Sequence, residues 1–373
     1  MSKLIIFFHS LLLLCFILYL SIFQVSCSKE PVREQIIVPP DTTPLPVTYE
    51  GGIFVVNEGN YNWGNASVTF LDNKNNTVVQ DIFMKSNDRS LGDVAESMKI
   101  NGNLGYIVIN NSNRIEVVSL KDFKSVKSIT GLFSPRYMEI IDSNKAYVTN
   151  LQKNISIVDL NHNLITGTIK TSTWTENLIR FDKYMFVTSI GAFSKPSSQR
   201  KAQVFVIDTQ TDAIVDSIET GKEPIGIVID KKQKIWVLCS GGYDNFEPHS
   251  LMRINPELRL VEKVFTFPNS GEVPSRLNIN ATGDTMYFIK SGVIQMPVTA
   301  SELPSQPLIA SDGRLFYGLA IDPNTGHIFV SDAKDYVQNG TAYEYSVNGT
   351  MLRQYTTGRI PGSFCFTKNS PGK

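Results

Sequence analysis

A short β pattern that ends in a polar turn recurs seven times along the chain. Its copies begin at Ser67, Ile115, Ile155, Val204, Leu251, Val293 and Ala342. Their spacing of roughly 40–50 residues is the length of one four-stranded propeller blade. The repeat therefore predicts an all-β, seven-bladed β-propeller, and it directs the search for function to the loops at one end of the ring of sheets.

The first blade lacks a first strand of its own. The segment from Gly52 to Val56 already resembles the second strand of a blade. The C-terminal segment from Gly362 to Phe366 has the pattern of an apolar strand, and we expect it to complete the first blade. Such closure joins both chain ends in one sheet and protects its edge. The predicted propeller spans residues 51–368, and no amphipathic helix is evident within it.

The N-terminus indicates export. Lys3 precedes an apolar run from Leu4 to Leu20, which is typical of a secretory signal peptide. The alternative is a retained membrane helix, because the run is nearly long enough to cross a bilayer. We expect residues 1–26 to be a signal peptide.

Cys27 favours the signal peptide of a lipoprotein. The four residues from Gln24 to Cys27 resemble a bacterial lipobox, although Gln24 stands where a leucine is usual. An acylated Cys27 would attach the protein to a membrane without a spanning segment. Five prolines between Pro31 and Pro46 favour extended backbone, so residues 27–50 are predicted to be a lipidated cysteine followed by a tether.

Charge and motifs argue against several classes of function. The 373 residues include 35 basic and 35 acidic side chains, so the chain offers no electrostatic footprint for nucleic acid. It has no zinc-protease, serine-hydrolase or phosphate-loop motif. We therefore predict a monomeric binding protein that is not an enzyme and has neither a cofactor nor a metal site.

Residues on the loops and residues at the blade entries both indicate a binding face. In a propeller, the loops from second to third strands and from one blade to the next open on the same face around the channel. Here these loops are rich in aromatic and amide residues, which suit a large, polar, partly flat ligand. The candidates on the loops are Glu58, Asn60, Tyr61, Trp63, Asn111, Phe193, Tyr243, Phe246, Asp332 and Tyr336, and those at blade entries are Glu96, Arg136, Glu176, Arg276 and Tyr317. The competing interpretation is that the asparagine-rich loops are ordinary turns and that the aromatic side chains pack on neighbouring loops.

Several segments resemble known propellers. Pro224 to Val237 and Val204 to Ile218 are similar to YncE-like and NHL-type seven-bladed propellers. The opening from Gly52 to Val68 resembles the start of the propeller lipoproteins on the surface of Bacteroidota. That group includes proteins that capture cobamides above TonB-dependent B12 transporters. The resemblance extends from Gly51 to about Lys368.

The resemblance implies a lipid-anchored protein on the cell surface, in the outer membrane. Such a protein would bind a nutrient, a cobamide such as vitamin B12 or a similar large polar molecule, and pass it to a TonB-dependent outer-membrane transporter. A ferric siderophore or a glycan is the alternative ligand. Two other functions stay open: a protein–protein scaffold at the cell surface, and a hydrolase or lyase acting on glycans with Glu96, Arg136, Glu176 and Arg276 at its site.

Overall fold

Seven antiparallel sheets of four strands form a propeller in the part of the chain that the structure describes. The structure is a computed structural model, and the residues it describes are 45, 49, 51–73, 75–190, 202–241, 248–268 and 272–367. The chain divides into two units, Met1–Thr42 and Thr43–Lys373, and the first lies outside the described residues. The prediction of an all-β, seven-bladed propeller is confirmed.

Each blade runs from an inner strand at the channel to an outer strand at the perimeter. Blades 1 to 3 use β1 (Ile53–Asn57), β2 (Ser67–Asp72), β3 (Thr77–Val79), β4 (Ala95–Asn101), β5 (Leu104–Ile109), β6 (Arg114–Ser119), β7 (Ser125–Thr130), β8 (Pro135–Ile140), β9 (Lys145–Asn150), β10 (Asn154–Asp159) and β11 (Leu164–Lys170). Blades 4 and 5 use β12 (Thr175–Phe181), β13 (Tyr184–Ser189), β14 (Gln203–Asp208), β15 (Ala213–Glu219), β16 (Pro224–Ile229), β17 (Ile235–Cys239), β18 (Ser250–Asn255) and β19 (Leu260–Thr266). Blades 6 and 7 use β20 (Ser275–Ile279), β21 (Thr285–Ile289), β22 (Gly292–Pro297), β23 (Ile309–Ala310), β24 (Phe316–Ile321), β25 (Ile328–Asp332), β26 (Asn339–Tyr345) and β27 (Met351–Arg359).

The last strand, β28 (Pro361–Phe366), is the inner strand of blade 1. It pairs antiparallel with β1, and its Phe364 stands opposite Val55. The backbone N–H of Gly52 donates to Oγ1 of Thr367 at 2.8 Å, so the two ends of the propeller are also joined beyond the ladder. The predicted closure of blade 1 by the C-terminal strand is confirmed.

The sequence repeat corresponds to one position in the blade. All seven copies contribute the third strand of their sheets, namely β2, β6, β10, β14, β18, β22 and β26. These strands carry apolar side chains because both of their faces are covered by neighbouring blades. Their polar ends mark the turns that lead to the outer strands.

Seven clusters of apolar side chains fill the spaces between adjacent blades. Strand β1 shows how one strand serves two of them. Ile53 and Val55 face blade 7, whereas Phe54 and Val56 face blade 2. Side chains alternate between the faces of a strand, so a blade with two neighbours needs apolar residues at consecutive positions. Burial of one such side chain contributes about 1.5–3 kcal/mol to stability.

One short helix, α1 (Ile82–Asn87), lies within the propeller, where the sequence shows no evident amphipathic helix. The carboxylate of Asp81 caps its N-terminus by accepting a hydrogen bond from the N–H of Met84 at 3.3 Å. Ile82 and Phe83 are fully buried in the core between blades 1 and 2. Six residues are too few to produce a helical period in the sequence, which is why the pattern did not reveal it. Within the described ranges, no helix is long and apolar enough to cross a bilayer.

The same core contains Tyr49, which lies in the segment assigned to the tether. The Tyr49 ring is 2% exposed and meets the Phe70 ring edge to face at 4.9 Å. It also lies 5.4 Å from the Phe123 ring of blade 2. The packed body of the propeller therefore begins at least two residues before Gly51.

Loss of β28 should disrupt the whole propeller. A chain truncated after Ile360 exposes the edge of β1 and uncovers apolar side chains at the junction of blades 7 and 1. We expect it to lose its cooperative thermal unfolding transition and to aggregate in size-exclusion chromatography. A control truncated after Thr367 retains β28 and should keep the melting temperature of the full chain. If the shorter truncate stays monomeric with an unchanged melting temperature, closure does not stabilise the fold.

Candidate functional site

The inner strands place one residue of every blade at the same end of the channel. In each sheet the register between the inner and second strands shifts near the start of the inner strand, where the inner strand has one extra residue. Such bulges redirect a side chain out of the regular pleat. The second residues of these strands are Glu96, Arg136, Glu176, Ile225, Arg276, Tyr317 and Gly362, and we call them the ring residues.

Hydroxyl side chains compensate for three of these bulges. Oγ1 of Thr149 accepts a hydrogen bond from the backbone N–H of Tyr137 at 3.0 Å. Thr188 and Ser331 do the same for the blades of Glu176 and Tyr317, at 2.8 and 2.7 Å. A bulge leaves a ladder N–H without its strand partner, and an unpaired buried N–H is costly. These hydroxyls stabilise the backbone shape that presents the ring residues.

Arg136 is held between two carboxylates. Its Nε and Nη2 donate to the two oxygens of Glu176 at 2.9 and 2.7 Å, and its Nη1 donates to Glu96. The pairing with Glu176 is the forked geometry in which guanidinium and carboxylate groups bind most strongly. Burial alone would lower the pKa of Arg136, but the charges of Glu176 and Glu96 outweigh it and raise that pKa.

Arg276, Tyr317 and Glu58 form a second group across the channel. The Arg276 guanidinium lies 4.9 Å from the centre of the Tyr317 ring, and its Nε donates to the Tyr317 carbonyl at 2.8 Å. The Tyr317 hydroxyl donates to Glu58 Oε2 at 2.9 Å. Glu58 occupies the place that a side chain at position 362 would fill, because a Cβ on Gly362 would lie 2.3 Å from Glu58 Oε1. The glycine of the ring thus admits a carboxylate from the loop after β1.

Glu96 has an unusual affinity for its proton. Its side chain is almost fully buried, and that burial raises its pKa from 4.5 to about 7 against the opposing charge of Arg136. Glu58 and Glu176 add to the increase because they are also acidic. The Tyr137 hydroxyl lies 3.3 Å from the carboxylate of Glu96 as a further hydrogen-bond donor. The ring therefore changes its net charge near neutral pH.

A cavity of about 520 Å³ opens along the channel. Its polar lining includes Arg136, Glu176 and Arg276 from the ring. A volume of this size is in the range of cavities that hold small organic ligands. Among the described residues, no group of three or more His, Cys, Asp or Glu side chains could hold a metal ion.

The loops beside Glu58 connect three blades at the ring end. Nδ2 of Asn60 donates to the carbonyl of Tyr336 at 2.6 Å, which ties blade 1 to blade 7. On the other side, the N–H of Asn62 and the amide of Asn111 both donate to the carboxylate of Asp93, at 2.8 and 2.5 Å. We call the connected loops that contain Asn60–Trp63, Asp93, Asn111 and Tyr336 the rim.

The structure brings most of the predicted binding residues to this end. On the rim, Tyr61 is 67% exposed, Trp63 56% and Tyr336 42%. The Tyr336 ring meets the Tyr317 ring edge to face at 5.9 Å, which connects the rim to the ring. Asp332 is different, because its carboxylate accepts hydrogen bonds from the backbone of Leu315 and Lys334 and shapes a loop. Phe193, Tyr243, Phe246 and Cys27 lie outside the described residues.

Four residues of this region were not singled out from the sequence. Tyr137 and Ile225 line the cavity, Gly362 makes room for Glu58, and Asp93 joins two rim loops. Ile225 and Gly362 are the second residues of their inner strands. An alignment of the seven blade entries in the sequence would therefore have found both. The contacts of Asp93 are not periodic and carry no such signal.

Comparisons with known proteins agree with the fold. Residues 51–360 match the family described as "Domain of unknown function (DUF5074)". The seven-bladed beta-propeller protein Rv1057 of Mycobacterium tuberculosis is 26% identical over 141 residues, which cover 36% of this chain and 34% of that protein. The matching segment thus spans about a third of the relative's length.

Two solved structures show the same architecture at low sequence identity. A quinoprotein alcohol dehydrogenase-like protein from Bacteroides thetaiotaomicron superposes with a TM-score of 0.66 and 18% identity, over 86% of this chain and 79% of that one. The periplasmic gluconolactonase of Pseudomonas aeruginosa gives a TM-score of 0.62 with 11% identity, over 85% of this chain and all of that one. At these identities the likeness establishes the fold alone.

Protonation of Glu96 should make stability depend on pH. The folded state keeps the proton of Glu96 between pH 4.5 and about 7, where the unfolded chain has lost it. The free energy of unfolding contributed by Glu96 must therefore fall as pH rises through this window. Chemical unfolding of the wild type and of Glu96→Gln at a series of pH values isolates this contribution. We expect the difference, wild type minus variant, to decrease from pH 4.5 to 7; an increase would show that Arg136 lowers the pKa of Glu96 instead.

Proposed function

The chain belongs to the family described as "Domain of unknown function (DUF5074)", and we propose that it is a binding protein that captures a ligand at the ring end of its propeller. The observation that carries this proposal is the convergence of charged side chains from separate blades beside the cavity, which three of them line. Two arginines and three glutamates meet there, brought from positions between 58 and 276 of the chain. A fold has no need to gather so many buried and partly buried charges in one place, because an apolar core of similar volume is usually at least as stable.

The exposed aromatic residues of the rim support a large ligand. Tyr61, Trp63 and Tyr336 are exposed on loops that are joined by a hydrogen bond, and an exposed apolar patch rimmed by polar residues is typical of an interaction site. Aromatic faces beside amide groups suit a flat, polar molecule. Together with the resemblance to YncE-like and Bacteroidota propellers, these features support a cobamide as the ligand, held over the rim.

The ring itself supports binding more than catalysis. Glu96, Arg136 and Glu176 satisfy one another through direct hydrogen bonds. Glu96 is 2% exposed, and Arg136 separates it from Glu176. A general acid or base must reach its substrate directly or through one water molecule. We therefore propose a protein that holds its ligand unchanged.

The N-terminal sequence supports a proposal about the location of the protein. We propose that acylation of Cys27 anchors it in the outer membrane with the propeller at the cell surface. From there the captured nutrient would pass to a TonB-dependent transporter. The prolines after Cys27 support this arrangement, because an extended tether would let the propeller reach a neighbouring membrane protein.

Binding of cyanocobalamin tests the identity of the ligand. We expect titration calorimetry to show a complex at micromolar concentration, with Tyr61→Ala and Trp63→Ala each weakening it by roughly tenfold. Leu258→Ala is the matched control, because Leu258 is as exposed as Tyr61 but lies in the turn between β18 and β19 at the opposite end. No binding in the wild type would reject the cobamide and make ferric siderophores and glycans the next ligands to test. An equal loss in Leu258→Ala would reject the rim as the binding surface.

Metabolic labelling with an alkyne-bearing palmitate tests the anchor. When the full chain is expressed in a bacterium that processes lipoproteins, the wild type should carry the label in the membrane fraction. Cys27→Ala should lose the label, whereas Cys239→Ala should keep it because Cys239 is buried in the propeller. An unlabelled Cys27→Ala protein that nonetheless stays in the membrane would favour a retained helix. Label that persists in this variant would place the acyl chain elsewhere.

A further inference from the structure

The two arginines of the ring differ in how fully their hydrogen-bond donors are used. Arg136 donates from Nε, Nη1 and Nη2 to two carboxylates. Arg276 donates from Nε to a carbonyl, and its Nη2 reaches Glu58 only at 3.5 Å. In the described part of the chain, no hydrogen bond involves Nη1 of Arg276. Its guanidinium therefore keeps donor capacity, and Arg276 is one of the residues that line the cavity.

The backbone of Arg276 also differs from that of the other ring residues. Its φ is 56°, in the left-handed region that favours glycine, whereas the remaining non-glycine ring residues lie outside that region. Such a conformation persists only where the surroundings enforce it. Here it accompanies the contact between the guanidinium and the face of Tyr317.

Part of the cavity wall around Arg276 is apolar. Ile227 of blade 5, Leu319 and Ala320 of blade 7 and Phe364 of blade 1 line the cavity, while the side chains of Ile227, Leu319 and Phe364 also pack into the cores between blades. The carboxylate of Glu176, which also lines the cavity, has both oxygens engaged by Arg136. Arg276 thus supplies a cationic donor to a cavity whose lining is partly polar and partly apolar.

We infer that the cavity is an anion-binding subsite in which Arg276 receives a carboxylate, or a group of the same shape and charge, borne on a partly apolar molecule. This inference rests on the proposed binding function and specifies one chemical feature of the ligand. A carboxylate matches the fork of a guanidinium with two parallel hydrogen bonds, which an amide or an amine cannot do. The apolar parts of the cavity lining would contact the body of the molecule.

Glu58 acts as an internal competitor in this arrangement. Its Oε1 lies 3.5 Å from Nη2 of Arg276, and its Oε2 accepts the hydroxyl of Tyr317. An incoming anion must approach Arg276 against the negative charge of Glu58. Loss of that charge should therefore strengthen anion binding, whereas loss of the charge on Arg276 should abolish the preference for anions. The two variants shift affinity in opposite directions, which a general disturbance of the fold would not do.

A series of probes with one apolar body and three charges tests the inference. We would titrate 3-phenylpropionate, 3-phenylpropanamide and 3-phenylpropylamine into the full chain and follow binding by saturation-transfer NMR and calorimetry. The carboxylate should bind roughly tenfold or more tightly than the amide, because hydrogen bonds to charged groups contribute that much. Arg276→Gln should remove this difference, and Glu58→Gln should increase the affinity for the carboxylate. Arg276→Lys keeps the positive charge but lacks the forked geometry of a guanidinium, so it should give an intermediate affinity for the carboxylate. This variant also tests the inference if Arg276→Gln does not fold.

The outcomes separate this inference from the proposed function. Equal affinities for the carboxylate and the amide, or a preference that survives in both Arg276 variants, would overturn the anion subsite while leaving a cavity that binds ligands. Absence of binding for all three probes would also overturn it, and the rim would then be judged by the cyanocobalamin titration alone. Leu258→Ala should bind all three probes as the wild type does.

Discussion

The antiparallel pairing of β28 with β1 is the interaction on which the rest of the propeller depends. Every sheet is covered on both faces by its neighbours, so an open array would leave two apolar faces and one inner strand position unfilled. The ladder that prevents this joins residues 53–57 to residues 361–366. Such a contact carries a large entropic cost of loop closure, which is recovered only when all seven blades are present. We therefore regard the closing strand as a condition for the ring end to exist at all.

Closure matters for function because it completes the ring of inner strands. The bulge near the start of each inner strand adds one residue and directs it to the same end of the channel. In blade 1 that residue is Gly362, and its lack of a side chain allows Glu58 to enter the ring. The same bulge thus recurs in every blade, but the site is not symmetric because the residue at the second position of the inner strand differs from blade to blade.

The asymmetry distributes the charges unequally. Arg136 lies between two acids and donates from all three of its nitrogens to them, which fits a role in holding blades 2, 3 and 4 together. Arg276 shares a single acid with Tyr317 and keeps a donor on the cavity. When Glu96 is protonated, the two positive charges of Arg136 and Arg276 are balanced by the negative charges of Glu58 and Glu176. The ring end therefore combines a neutralised half with a half that is able to accept an anionic group, beside exposed aromatic side chains.

Local patterns in the sequence determined the fold, the number of blades and the closing strand. Alternation and turn chemistry depend on neighbouring residues, and the repeat spacing multiplies that signal seven times. The same repeat identified five of the ring residues, because blade entries recur at a fixed place. The sequence pattern did not predict helix α1, because the helix has only six residues and interrupts the repeat only once. Only the tertiary structure decided how the ring residues pair. Glu58 and Arg276 are 218 positions apart and meet because blades 1, 6 and 7 converge on one channel, a relation that depends on the geometry of the closed ring and not on any local pattern.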